Sequence, residues 1–341
     1  MARKTKQNSI TSPELLAQVN PENMNLLNDF IDYMRSLQRS NGTCESYRSD
    51  ILIAWVWGLQ NNDNKFFIDW TKRNIVAYQN WLLTQNENSP ARVRRLKASL
   101  SSLSNFIENV LDDEFPNFRN IVKKVENPVN QPVREKTVLS EEQVDELLDT
   151  LIKRKKYEQA CVLALAMCSG RRKAELPRFR VSDFNEDHLV CGGGLYKSDP
   201  IKTKGNGAQG KMLSCFTLAR KFQPYLDLWM NERKEKGIES EWLFPDHNDS
   251  TKQLSPTTLN SWAKTFSNII GEDFYWHCMR HAAVTNLIRA GIPNTAVQQF
   301  IGWADISMVS VYTDIDADEH LSMFFDENGI VAQEKKGFDS L

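Results

Sequence analysis

The chain has no apolar run approaching the roughly 20 residues that span a bilayer. Its longest candidate, Ala160-Cys161-Val162-Leu163-Ala164-Leu165-Ala166-Met167-Cys168, has the length of a buried helix. Basic residues stand near the start (Arg3, Lys4, Lys6), but no apolar stretch follows them, so no signal peptide is expected. The six cysteines (Cys44, Cys161, Cys168, Cys191, Cys215 and Cys278) include no C-x-x-C pair. That scatter speaks against a zinc or disulfide framework and for reduced thiols in a cytoplasmic protein. There are no internal repeats and no low-complexity tract. There is also no basic excess, since the formal net charge is −2. DNA-binding proteins usually carry a basic surface, so the average alone argues against nucleic acid.

The distribution of charge argues the other way. Basic residues gather at Arg92-Val93-Arg94-Arg95-Leu96-Lys97, at Lys153 to Lys156 and at Arg171-Arg172-Lys173, while acids gather at 141–149 and 314–319. A bipolar surface with one basic face fits this pattern. With 341 residues, 41% apolar and 25% charged, the chain has material for two globular domains.

Residues 1–20 read as a polar, mobile arm. Residues 21–126 read as a helical domain: apolar residues recur at helical spacing from Met24 to Met34, and again through Tyr47, Ile51, Ala54 and Trp57. Asn41-Gly42-Thr43 reads as a turn with a capping residue between these two helices. Ser89-Pro90 opens a third, with Val93, Leu96, Leu100, Leu103 and Ile107 on one side and Arg92, Arg94, Arg95 and Lys97 over much of the rest. Residues 127–137, with two prolines and no period, read as a linker. A second domain, 138–341, opens on Ser140, which forms a capping box with Gln143. Short apolar runs between glycines at 187–191, 192–196, 200–203 and 211–216 predict a small antiparallel sheet. The fold class is therefore mainly α, with a small antiparallel β-sheet in the C-terminal domain. A tail begins at about 314. Its apolar residues Leu321, Met323, Phe324 and Phe325 fit a helix that docks on a neighbour or packs back on its own domain.

Chemistry concentrates in the second domain. On a helix starting near His277 and ending at Gly291, His277, Arg280 and His281 are i, i+3 and i+4 and share a face. An arginine offers a planar fork to phosphate oxygens, and a histidine can hold or pass a proton. Arg171, Arg172 and Lys173 follow the break at Ser169-Gly170, where Glu175 could hold a guanidinium; spacing alone does not choose among the three. Trp303 carries a donor-only indole N–H. Tyr312 lies in a short helical stretch behind Asp305, and Lys202 and Lys204 lie on a hairpin. Each fragment alone also describes an ordinary polar helix face, a packed aromatic or an exposed turn.

The ordered set resembles the tyrosine recombinase, or phage integrase, family. The family's G-x-R-x-x-E-L pattern falls on Gly170, Arg172, Glu175 and Leu176, which selects Arg172. Its H-x-x-R-H falls on His277, Arg280 and His281, its L-G-H/W on Ile301-Gly302-Trp303, and its nucleophile on Tyr312, nine residues after Trp303. The hairpin lysine maps onto Lys204, with Lys202 as the alternative, because Met212-Leu213-Ser214 lacks the usual V-P-L wording. The resemblance covers roughly residues 20–325; its C-terminal motifs are specific and its N-terminal match is mostly pattern. It implies a helical SAM-like core-binding domain and a catalytic domain forming a two-domain, C-shaped DNA clamp. It implies strand cutting and rejoining through a 3′-phosphotyrosyl intermediate, with Arg172, Lys204, His277, Arg280, Trp303 and Tyr312 catalytic and Glu175 and His281 supporting. No cofactor, metal or ATP is implied. The implied partners are double-stranded DNA, contacted by Arg92, Arg94, Arg95 and Lys97, and three further copies of the chain in a homotetramer on two sites. The nucleophile needs local help, since a free phenol ionises only near about pH 10.

Overall fold

The computed structural model describes residues 9–129, 139–205, 207–313, 321–322, 325–326 and 329–330. The chain divides into two compact units, one formed mainly by residues 3–135 and the other mainly by 136–204 and 210–341.

The first unit holds helices α1 (Pro13–Leu16), α2 (Pro21–Ser36), α3 (Asn41–Asn61), α4 (Lys72–Thr84) and α5 (Pro90–Val110). Its core joins Leu27, Ile31, Ile51, Trp55, Tyr78, Leu96 and Leu100. Two expectations need correction. The arm is not polar and loose throughout: Ser12 caps α1, Val19 is buried, and Ile10, Leu15 and Leu16 pack on the core. Residues 1–8 lie outside the described residues. Asn41-Gly42-Thr43 is not a turn but the first turn of α3, because the capping oxygen comes from Ser40, which accepts from the Thr43 N–H.

Helix α5 opens as expected, with the Ser89 hydroxyl accepting from the Arg92 N–H. Its cations divide. Arg92 and Arg95 both pair with the buried carboxylate of Asp50, at 2.7 and 3.3 Å, and Arg94 donates to the Pro128 carbonyl at 3.4 Å. Lys97 is buried at 3% exposure, so it does not face a DNA backbone, contrary to the sequence reading. Its ammonium donates to Gln79 Oε1 at 2.6 Å and to the carbonyls of Val125 and Glu126, both at 2.9 Å. Burial lowers its pKa to about 8. The lysine thus fastens the segment that leads toward the linker, whose residues 130–137 lie outside the described residues.

The second unit holds α6 (Glu141–Lys153), α7 (Tyr157–Ser169), α8 (Ala219–Glu235), α9 (Pro256–Ile270), α10 (Trp276–Arg289), α11 (Asn294–Ile301) and α12 (Ser307–Tyr312). The Ser140–Gln143 capping box forms at the start of α6. Helix α7 is apolar all round and buried from Ala160 to Ser169, so it serves as the central post of this unit. Two small sheets flank the helices. One has the order β1 (Leu189–Val190), β2 (Leu195–Lys197), β5 (Phe216–Leu218); the other is the hairpin β3 (Ile201–Thr203), β4 (Lys211–Leu213). All pairings are antiparallel. The expected strand 211–216 is therefore two strands. Pro200 has no N–H for a ladder, the Asp199 N–H goes to the Asp183 carboxylate at 2.8 Å, and Ser198 and Cys215 close the bend through two 2.9 Å bonds. Near the end, β6 (Phe325–Asp326) pairs with β7 (Gly329–Ile330), so Phe325 begins a strand and not a helix. Met323 and Phe324 lie outside the described residues.

No helix among the described residues is long and apolar enough to cross a membrane. The six cysteines are free, and only Cys191 is exposed.

Replacing Lys97 by methionine keeps the apolar stem but leaves three acceptors without their donor. The expected loss is about 1–3 kcal/mol of stability, read as a lower urea midpoint for the transition of the first unit.

Candidate active site

The site forms where α7, α10, α11 and α12 end or begin. Helix α7 stops at Gly170, whose left-handed φ of 59° turns the chain sharply. A side chain there would put its Cβ 2.5 Å from Ile301 Cδ1, so glycine is required by packing as well as by φ. Helix α11 stops in the same way at Gly302 (φ 73°), where a Cβ would lie 2.3 Å from Leu213 Cδ2 on β4. These two close approaches bring the arginine loop, the Trp303 segment and the base of the β3–β4 hairpin together.

Arg172 lies in the loop after Gly170. Its backbone N–H and Nη1 donate to the two oxygens of Glu175, at 3.1 and 3.2 Å. Glu175 is buried, whereas about a third of the Arg172 side chain stays exposed (35%). The carboxylate thus holds one corner of the fork and leaves the rest facing out. Arg171 points elsewhere. It is 1% exposed and donates to the Ser169 carbonyl (3.2 Å), Cys215 Sγ (3.2 Å) and the Phe300 carbonyl (2.8 Å). Lys173 reaches Asn260 Oδ1 at 2.7 Å. The three residues that spacing left equivalent thus point in different directions.

Helix α10 starts at Trp276 and ends at Arg289, with Gly291 just beyond it. Its face presents His277, Arg280 and His281 as the i, i+3, i+4 spacing requires. Arg280 is 1% exposed and donates from Nη1 to the Gly170 carbonyl at 2.7 Å. Its Nε and Nη2, and the indole Nε1 of Trp303, are buried with no acceptor among the described residues. The guanidinium carbon sits 5.0 Å from the Trp303 ring centre and 5.4 Å from that of Tyr312. Burial, with Arg172 and Arg171 adding repulsion, lowers its pKa to about 10; it remains a cation at neutral pH.

Tyr312 ends α12 and is buried within a small cluster with Val284, Ile301, Trp303 and Val309. Its hydroxyl lies 2.9 Å from His277 Nε2. Its ring stacks on His281 at 4.6 Å between centres and tilts against Trp303 at 4.9 Å. His277 is exposed as a residue, but its Nε2 edge faces inward. That desolvation, followed by His281, Arg280 and Arg172, holds its pKa below the ordinary value of 6.5. A neutral His277 can accept the phenolic proton. Among the sequence candidates, the structure gathers Arg172, Glu175, His277, Arg280, His281, Trp303 and Tyr312. Lys204 is exposed, one residue past β3, and Lys202 is exposed within β3. Arg178 donates to the Lys202 carbonyl and steadies that strand.

The arrangement sets a cluster of arginine and indole donors beside a tyrosine whose hydroxyl meets a histidine. A model described as the phage integrase family matches residues 137–319, more than half of the chain and the span that holds all of these residues. The chain belongs to this family, that of the tyrosine recombinases, and its enzyme class is the site-specific recombinase. It is 28% identical over 281 residues to the SPbeta prophage-derived recombinase-like protein YomM of Bacillus subtilis (strain 168), covering 80% of each chain. It is 24% identical over 325 residues to tyrosine recombinase XerD of Vibrio vulnificus (strain YJ016), covering 92% of this chain and 97% of that one. Among solved structures, a lambda integrase tetramer bound to a Holliday junction matches with a TM-score of 0.63 and 15% identity, over 85% of this chain and 77% of that one. XerH bound to a palindromic difH substrate, in a post-cleavage complex, matches at 0.62 and 17%, over 82% and 78%. At such identities the structures establish a shared fold.

The His277 geometry sets a pH dependence. Protonation removes the acceptor at Nε2, so the rate of DNA strand cleavage is expected to fall in acid, with a midpoint below 6.5, and to be level at pH 7. A single-turnover pH profile checks this, and His277→Gln is expected to flatten its acid limb.

Proposed function

We propose that the protein cuts and rejoins DNA by two transesterifications. Tyr312 Oη attacks a backbone phosphorus and the bond to the 5′-oxygen breaks. A 3′-phosphotyrosyl link forms, and a 5′-hydroxyl leaves. A 5′-hydroxyl from a partner duplex then attacks the same phosphorus and releases the tyrosine. The energy of the phosphodiester is held in the covalent link, so resealing consumes no ATP. His277 takes the phenolic proton or orients it. Arg172 and Arg280 clamp the non-bridging oxygens, and Trp303 adds a neutral donor to the charge that grows there. Lys204, or Lys202 in its place, protonates the departing 5′-oxygen.

One observation supports this reading: three buried donors with no acceptor among the described residues (Arg280 Nε and Nη2, Trp303 Nε1) belong to side chains packed near the ring of Tyr312, whose hydroxyl lies 2.9 Å from His277 Nε2. Buried donors are normally paired, and a phosphate supplies the missing acceptors. Nucleophile, proton acceptor and donors all come from a single chain.

In this proposal residues 21–126 form a DNA-binding domain and 138–341 the catalytic domain. Both contact the duplex, four copies meet on two sites, and the protein works in the compartment that holds the DNA. Arg92, Arg94 and Arg95 supply phosphate contacts. Their contribution is salt-dependent and independent of sequence.

A nicked duplex carrying the target site, selected from a random pool, tests the chemistry. The wild type is expected to form a covalent protein–DNA product that denaturing electrophoresis retains, and Tyr312→Phe to form none. Arg172→Ala and Arg280→Ala are each expected to slow it by roughly 10²–10³-fold. The same product from Tyr312→Phe would remove the proposed nucleophile. In binding titrations, Arg94→Ala should lower the slope of log K against log salt by about one, while Lys97→Met leaves it unchanged.

A further inference from the structure

Arg171 has no part in the chemistry above, yet it is among the most buried charged side chains of the protein. Its three hydrogen bonds reach three different segments. Ser169 O ends α7, directly before the loop of Arg172. Phe300 O is in α11, three residues before Trp303. Cys215 Sγ lies at the bend between β4 and β5, two residues past the second strand of the β3–β4 hairpin. Gly170 and Gly302 let the same three segments close on one another. Among the described residues, all three acceptors are neutral. These bonds bring the guanidinium no carboxylate partner, and it lies near enough to Arg280 to help depress that group's pKa.

We propose that Arg171 is a positioning residue for strand transfer: it locks the segments of Arg172, Trp303 and the hairpin lysine into one rigid frame, and its unneutralised charge biases that frame toward an anion. This rests on the reading of the site as a phosphodiester-cleaving centre. A buried cation paired to a carboxylate would be a strut alone. A buried cation bonded to two carbonyls and a thiol is a strut that also projects a field, because low-dielectric surroundings screen it little. Arg171 touches neither the phosphate nor the nucleophile, so its effect passes through the groups it holds.

Two variants separate geometry from charge. Arg171→Lys keeps the charge and loses the fork; Arg171→Gln keeps a short donor and loses the charge. The measurements are the single-turnover rate of covalent product on saturating nicked duplex, DNA affinity, and thermal midpoint. Displacements of about 1 Å in a preorganised site cost on the order of 10²-fold. Arg171→Gln is expected to slow cleavage by roughly that much, with affinity within about three-fold of wild type. Arg171→Lys should recover part of the rate. On a duplex with a neutral methylphosphonate at the scissile position, which has one anionic oxygen fewer, the gap between Arg171→Gln and wild type should narrow.

Wild-type rates from Arg171→Gln would overturn the proposal. So would a rate loss that follows affinity and thermal midpoint equally in both variants, with no change on methylphosphonate, since that is a structural effect alone. If Arg171→Gln does not fold, Arg171→Lys decides: a slowed rate at unchanged affinity supports the frame, and a wild-type rate refutes it. If the wild type itself makes no Tyr312-dependent product, the reading of the site fails, and that outcome is separate from any difference between the variants.

Discussion

The second unit is organised around a cation that the protein buries without neutralising. Arg280 is almost fully removed from solvent, and the one hydrogen bond the described residues give it is to the Gly170 carbonyl. An isolated buried charge is among the most expensive things a fold can hold. The compensation here is partial: one backbone carbonyl, and the faces of Trp303 and Tyr312 near the guanidinium. Arg172 and Arg171 add repulsion. In the proposed function an anion between Arg172 and Arg280 relieves that repulsion and meets the open donor positions together.

That constraint accounts for features that look unrelated. Gly170 must be left-handed, because only then does its carbonyl meet Arg280 while Ile301 fills the space above. Gly302 must lack a side chain, because Leu213 occupies that position and carries the hairpin against the Trp303 segment. In the proposed function His277 serves Tyr312 when neutral, and desolvation, with the nearby His281, Arg280 and Arg172, favours that form. A second carboxylate beside Arg280 would stabilise the empty site and weaken the bound one. The acid that is present, Glu175, instead restrains Arg172 at one corner.

Much of this was legible in the sequence, for physical reasons. The apolar run 160–168 could only be a buried helix, and α7 is one. The Ser140–Gln143 box and the i, i+3, i+4 placement of His277, Arg280 and His281 follow from helical geometry and were realised. Other features depend on tertiary contacts that periodicity does not carry. Arg171, Arg172 and Lys173 are equivalent by spacing, and they part only because Ser169, Cys215 and Phe300 converge on the first of them. The strand at 211–216 breaks because Asp183, distant in sequence, captures the Asp199 N–H. Lys97 was the misreading with an available signal: it lies four residues after Val93, on the buried side of α5, where a lysine must find acceptors for its ammonium. Asn41 was misplaced because Asn-Gly is a turn signal in isolation, and Ser40 overrides it by capping.

The net charge of −2 misleads for a related reason. Phosphate chemistry responds to the local field, and this protein keeps two kinds of positive charge in different settings. Arg92, Arg94 and Arg95 are at least partly accessible, and Arg92 and Arg95 share Asp50, so salt screens them over about 8–10 Å. Arg171 and Arg280 are each 1% exposed, so salt screens them less. In the proposed function, affinity for the duplex and stabilisation of the transition state draw largely on separate charges, so a chain with no basic excess can still hold a centre rich in buried cations.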